Sequence, residues 1–157
     1  RYNPMSYHNG SIWPHDTSIC AAGISRYGGR ANVVQILNDI FETANQFSMR
    51  LPELYCGFPR VPGQGPAPYP VACLPQAWSS GSVFLLLQAC LGIEVTGERK
   101  EVHVRSPTLP SDTESLAIRN LPVGRAAIDL DFHRLGSEVV VIPSKHVECG
   151  ARVLSHL

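Results

Sequence analysis

The chain has 157 residues, 44% of them hydrophobic, enough for one domain or slightly more and a composition that argues against general disorder. Lys plus Arg and Asp plus Glu number 13 each, so there is neither net charge nor a like-charge tail to draw in nucleic acid or an anionic membrane, and neither is an expected partner. The longest apolar run, Val83 to Leu87, falls far short of the roughly 20 residues a membrane-spanning helix needs.

The five cysteines, Cys20, Cys56, Cys73, Cys90 and Cys149, are odd in number and scattered without a Cys-x-x-Cys pair, which fits a reducing, cytoplasmic setting. His8, His15 and Asp16 match no common zinc spacing, and no cofactor motif is present, so neither a metal nor a cofactor is expected. The chain opens on Arg1 inside a well-formed motif, from which we expect a piece of a longer protein.

Residues Tyr2 to Trp13 are rich in aromatic and amide side chains and poor in charge, and Pro4 and Gly10 block regular structure. This mixture suits a sugar. Tyr2, Tyr7 and Trp13 offer flat faces to C–H surfaces, while Asn3, His8 and Asn9 offer neutral donors and acceptors to hydroxyls; a tight turn with aromatics in the core is the plainer alternative. A first helix is predicted from about Pro14 to Tyr27, with Pro14 at its first position, Asp16 and Thr17 in its first turn, Ile19, Ala22, Gly23 and Ile24 inward, and Gly28-Gly29 ending it. Asp16 reads equally well as a first-turn acid or as a hydroxyl ligand. A second helix is predicted over about Ala31 to Phe47, where Val33, Leu37, Ile40, Phe41, Ala44 and Phe47 form one stripe and Asp39 and Glu42 lie on the solvated face. The short connection makes the two helices antiparallel neighbours.

Next comes Arg50-Leu51-Pro52-Glu53-Leu54-Tyr55-Cys56-Gly57-Phe58-Pro59, a loop that sets one carboxylate among apolar and aromatic neighbours. Two prolines rule out a continuous helix, and loops of this kind often carry function. Cys56 has no matched base and is not a nucleophile candidate. The loop runs on through the Pro- and Gly-rich stretch to Tyr69-Pro70. A third helix is predicted from near Pro75 to Leu91, apolar on nearly every side from Val83 onward and therefore expected to be buried on several faces; Trp78 near its start reads as core or as a sugar platform. Beyond Gly92 the pattern changes to short strand candidates at 102–104, 116–118, 126–132 and 138–142, with a hairpin turn at Leu135-Gly136-Ser137, read as a small antiparallel appendage without a catalytic constellation.

The run from Tyr7 to Asp16, the helix ending Arg26-Tyr27-Gly28, Leu51-Pro52-Glu53-Leu54, and Tyr69-Pro70-Val71-Ala72-Cys73 with Pro75-Gln76-Ala77-Trp78 together resemble the C-terminal part of the bacterial amylo-α-1,6-glucosidase (glycogen-debranching-like) proteins. These are similar to the (α/α)6-barrel glycoside hydrolases, among them mannosylglycerate hydrolase, glucoamylase and neutral invertase. The resemblance spans about residues 2 to 142 and implies a mainly α fold: the C-terminal helices of an (α/α)6 toroid over 1–95, followed by a small antiparallel β domain over 96–157. It implies that Glu53 is the general base of an inverting hydrolase and that the general acid lies upstream, in a missing part of the same barrel; Tyr7, His8, Asn9, Trp13, Asp16, Tyr69, Gln76 and Trp78 are the residues expected to contact an α-glucan or oligosaccharide substrate. Such an enzyme sets two carboxyl groups about 6.5–9.5 Å apart, one to protonate the leaving oxygen and one to activate water. The base must stay ionised, which asks for hydrogen bonds or a positive group such as Arg50 or Arg60. The chain by itself is then expected to be inactive. Sucrose cleavage, phosphorolysis, or a silent carbohydrate-binding remnant are the other readings.

Overall fold

A computed structural model of the chain describes residues 1–145 and 150–156. The chain falls into two compact units, Arg1–Leu87 and Gln88–Leu157. Cys149 lies outside the described residues.

In the first unit, α1 (Pro14–Arg26) begins on Pro14, whose missing N–H is no loss in a first turn, and carries Asp16 at its positive end and Arg26 at its negative end. The chain then turns at Gly28, whose φ of +83° is a conformation glycine adopts without strain. α2 (Arg30–Gln46) packs back on α1 and buries Val33, Leu37, Ile40 and Ala44, the stripe that the spacing predicts. The inward face of α1 differs from expectation. Pro14, Ser18, Ala21 and Ser25 are buried, whereas Ile19 is 58% exposed, because small side chains are what let the two helix backbones come close.

α3 (Ala77–Leu91) starts later than Pro75. Its serines Ser79 and Ser82 are buried with Leu86, while Phe84 is 75% exposed, so apolar composition on all sides does not translate into burial on all sides.

In the second unit, β1 (Ile93–Thr96), β2 (Glu101–Arg105) and β6 (Arg152–His156) form one three-stranded sheet; β3 (Ser115–Val123), β4 (Ala126–Leu135) and β5 (Glu138–Lys145) form another. β4 alternates Ala126, Ile128, Leu130 and Phe132 inward with half-buried neighbours between them, a strand with one face in the core. Two-residue turns at Gly124-Arg125 and Gly136-Ser137 join β3 to β4 and β4 to β5, each with glycine first at positive φ, the arrangement that matches strand twist in a hairpin. Leu91, Val102, Val104, Val123, Leu130 and Phe132 centre the core of this unit. β1 and β6 were not expected from sequence, and β6 pairs parallel to β2, so the unit is not wholly antiparallel.

The expectation of a mainly α chain, the last helices of an (α/α)6 toroid, is corrected by this architecture. The described residues hold three helices and six strands in two small sheets, about 30% helix and 28% strand, and do not make a fragment of a helical toroid. The physical reason is that α1 and α2 form a single hairpin, and the chain after α2 runs through irregular Pro- and Gly-rich segments before α3. After α3, alternating β-branched segments take nearly as large a share of the chain as the helices do.

Candidate functional site

Residues 51–57 form the middle ribbon of three extended segments. Ile12 and Tyr55 exchange both backbone hydrogen bonds, at 2.8 and 3.0 Å, and the Gly57 N–H donates to Pro4 at 2.9 Å. Toward the other neighbour, the Glu53 N–H donates to Cys73 at 2.8 Å and the Cys56 N–H to Ala67 at 2.9 Å. Leu51 and Leu54 are buried on either side of Glu53 and fix its position. A stretch that reads as a loop is therefore tied on both edges like a central strand, although its prolines keep it out of regular structure.

The Glu53 carboxylate is held by neutral donors. The Tyr7 hydroxyl donates to Oε1 at 2.6 Å, the Cys73 N–H donates to Oε2 at 3.3 Å, and the Ser79 hydroxyl donates to the Glu53 carbonyl at 3.5 Å. The short phenol bond is of the charge-assisted kind. Arg60 does not serve Glu53. It pairs with Glu42 and, at 2.8 Å, with Asp39, which hold its guanidinium charged more firmly than usual, and both acids stand on the solvated face of α2 as expected. The three residues line a second cavity of about 460 Å³ with Thr43, Tyr55 and Phe58. Arg50 is exposed.

Tyr7 joins the Glu53 carboxylate to a wall of rings. Its ring meets His8 and Trp13 edge-on, each with centroids 4.7 Å away, and Tyr69 at 5.7 Å; the Trp13 indole N–H donates to the Tyr7 carbonyl at 3.0 Å. Trp78, 49% exposed, lies nearly parallel to His15 at 4.6 Å. Tyr7, His8, Trp13, His15, Asp16 and Trp78 line one open depression of about 650 Å³. Of the sugar-contacting residues expected from sequence, five thus lie together and Tyr69 adjoins them through Tyr7. Asn9 and Gln76 are not among the lining residues: the backbone of Asn9 closes a turn with Asn3 and Ser6, and Gln76 supports the start of α3 through its carbonyl.

Sequence reasoning did not place His15 or the Cys73 amide in the site. His15 carries Nε2 at 3.3 Å from Asp16, and its buried Nδ1 has no hydrogen-bond partner among the described residues. Its place between Trp13 and Asp16 at the helix start was the signal available. The Cys73 donor is a backbone group, which no residue type announces.

The carboxylate reacts back on the phenol. The Tyr7 pKa is pushed up to about 12 from 10.0, first by the hydrogen bond to Glu53, then by desolvation and by the Glu53 charge. Because the folded state keeps the proton longer than the unfolded chain does, this contribution to stability is complete below about pH 10 and is lost as pH rises from there to about 12. Ultraviolet titration of the phenols should show Tyr7 ionising late, and Glu53→Leu should return it toward pH 10; late ionisation in the variant would detach the shift from Glu53.

No family model matches the chain. No curated protein matches its sequence with significance. Among the described residues no helix is long and apolar enough to cross a membrane.

Proposed function

We propose that the chain is the C-terminal portion of an inverting glycoside hydrolase that cleaves α-glucosidic bonds, similar to amylo-α-1,6-glucosidase, with Glu53 as general base and the general acid supplied from outside this chain. The observation that carries the reading is the Glu53 carboxylate, hydrogen-bonded at 2.6 Å by Tyr7, which with Trp13, His8 and Trp78 lines an open depression. Flat rings of this kind stack on the C–H faces of a sugar, and His8 and Asp16 meet its hydroxyls. Glu53 takes a proton from water as the water oxygen attacks the anomeric carbon, and the leaving oxygen takes its proton from the general acid on the opposite face. Tyr7 and the Cys73 amide hold the two carboxylate oxygens so that the base is oriented without an ion pair that would weaken it. The scattered, odd-numbered cysteines support a cytoplasmic setting for this activity.

A second reading, carbohydrate binding without turnover, is favoured by the engagement of Asp16 with His15 at 3.3 Å, which leaves the depression without an acid free for catalysis among its lining residues. The deciding assay follows sugar release from a branched α-glucan, with sucrose and mannosylglycerate as comparators, by a polypeptide extended upstream of Arg1. The expected result is glucose released first as the β anomer, detected by proton NMR, with the 157-residue chain inactive by itself. Saccharide binding without turnover would replace hydrolysis with the binding reading, and turnover that requires phosphate would replace it with phosphorolysis.

A further inference from the structure

The sheet of β1, β2 and β6 carries a second cluster, independent of the Glu53 site. The parallel register pairs Glu101 with Arg152, His103 with Leu154 and Arg105 with His156, so Glu101, His103, Arg152 and His156 share one face. His103 Nδ1 lies 3.2 Å from His156 Nε2, with the two ring planes within 10° of parallel. The other nitrogen of His103, Nε2, lies 3.2 Å from Glu101 Oε2, and Glu101 Oε1 is held by Arg152 at 2.5 Å. A carboxylate paired with a guanidinium accepts and does not donate, so the His103 proton belongs on Nε2 and the Nδ1 lone pair faces His156.

We infer that His103 and His156 form a binding site for a hydrated divalent transition-metal ion of the imidazole-binding class, with Zn²⁺ as its representative. With metal–nitrogen distances of about 2.0–2.1 Å, the 3.2 Å between the two nitrogens corresponds to an N–metal–N angle of about 100°, close to tetrahedral. His103 is already set as a ligand: its second nitrogen is bonded to a carboxylate, the outer partner that orients metal-binding imidazoles, and Arg152 fixes that carboxylate in turn. His156 is exposed, and its ring turns to bring Nε2 onto the ion, the proton moving to its Nδ1. Among the described residues no group of three or more His, Cys, Asp or Glu side chains stands ready for a metal, so two imidazoles hold the ion and water completes its shell. The ion ties β2 to β6 across 53 positions of chain and stabilises the pairing of β6.

The test is calorimetric and NMR titration of the full chain with Zn²⁺ alone, after the exposed thiols Cys20 and Cys73 have been alkylated. We expect one equivalent bound, ring signals of His103 and His156 displaced, and slower amide exchange in β6. His156→Gln keeps an N–H for the His103 lone pair and therefore keeps the strand in place, yet should weaken binding at least tenfold; Glu101→Gln should weaken it by about 10-fold to 100-fold. No saturable binding, displacement of the His8 or His15 signals instead, or a His156→Gln chain that binds as tightly as the parent would each overturn the site.

Discussion

Glu53→Gln is expected to lower turnover of the accepted glucan by about a thousandfold, within the range of about 10²–10⁴ that a positioned general base contributes. The substitution is close to isosteric, and the glutamine carbonyl still accepts the Tyr7 hydroxyl that reaches Oε1 at 2.6 Å. Its NH2 group then faces the Cys73 N–H, donor against donor, but that contact is long at 3.3 Å and its loss is minor. The ribbon itself stays pinned by the backbone bonds from Glu53 to Cys73 and from Tyr55 to Ile12, which do not involve the side chain. What disappears is the ability to take a proton from water. The effect therefore belongs in kcat with saccharide affinity retained, read from steady-state kinetics and calorimetry on the upstream-extended polypeptide. Glu42→Gln, altering a carboxylate that serves Arg60, is the matched control and should leave turnover unchanged. Equal kcat in the Glu53 variant and its parent would remove this residue from the chemistry.

Gly57→Ala should destabilise the first unit by about 3 kcal/mol, the upper part of the range for overpacking a close contact. A methyl group at Gly57 would stand 1.8 Å from the Gly10 carbonyl oxygen, and one at Gly10 would stand 2.0 Å from that of Asn3. Neither glycine has a positive φ, so the cost is steric and not conformational. The obstructing carbonyls are backbone and cannot swing aside, because the Gly57 N–H is bonded to Pro4 and Tyr55 to Ile12. Relief requires the segment from Pro4 to Gly10 to lift, and Tyr7 rides on it. Urea unfolding should thus report the loss of stability, and phenol titration should show Tyr7 falling from about 12 toward its ordinary value as the bond to Glu53 opens. Gly23→Ala, where the added methyl meets nothing within 4 Å on a helix, should be neutral or slightly stabilising. A Gly57 variant as stable as the parent would mean that the two loops are not in contact as described.

The α2 stripe, the proline start of α1, the glycine stop after it, the alternation of β4 and the turn at Gly136 were readable because each depends on residues within a few positions of one another. Tyr7, His8, Trp13, Asp16 and Trp78, which line the depression, were also named from the chain itself, while His15 lines it too and Asn9 and Gln76 do not. The architecture was not. Local signals identified three helices and four of the six strands but carry no information on how many neighbours a helix has, so the helical toroid, the inward place of Ile19 and the all-antiparallel tail were misjudged.

Residues near one another in the chain set the local elements and the supply of chemistry: one carboxylate in a proline-bounded loop and a neighbouring segment rich in rings. It takes the folded chain to bring Tyr7, 46 positions away, and the Cys73 amide, 20 positions away, onto that carboxylate, and to bring His103 to His156. Contacts between such distant segments depend on the register in which whole stretches of backbone pair and on which face packing leaves open. Those choices are made by the summed burial and hydrogen bonding of the folded chain, and no single residue or spacing encodes them.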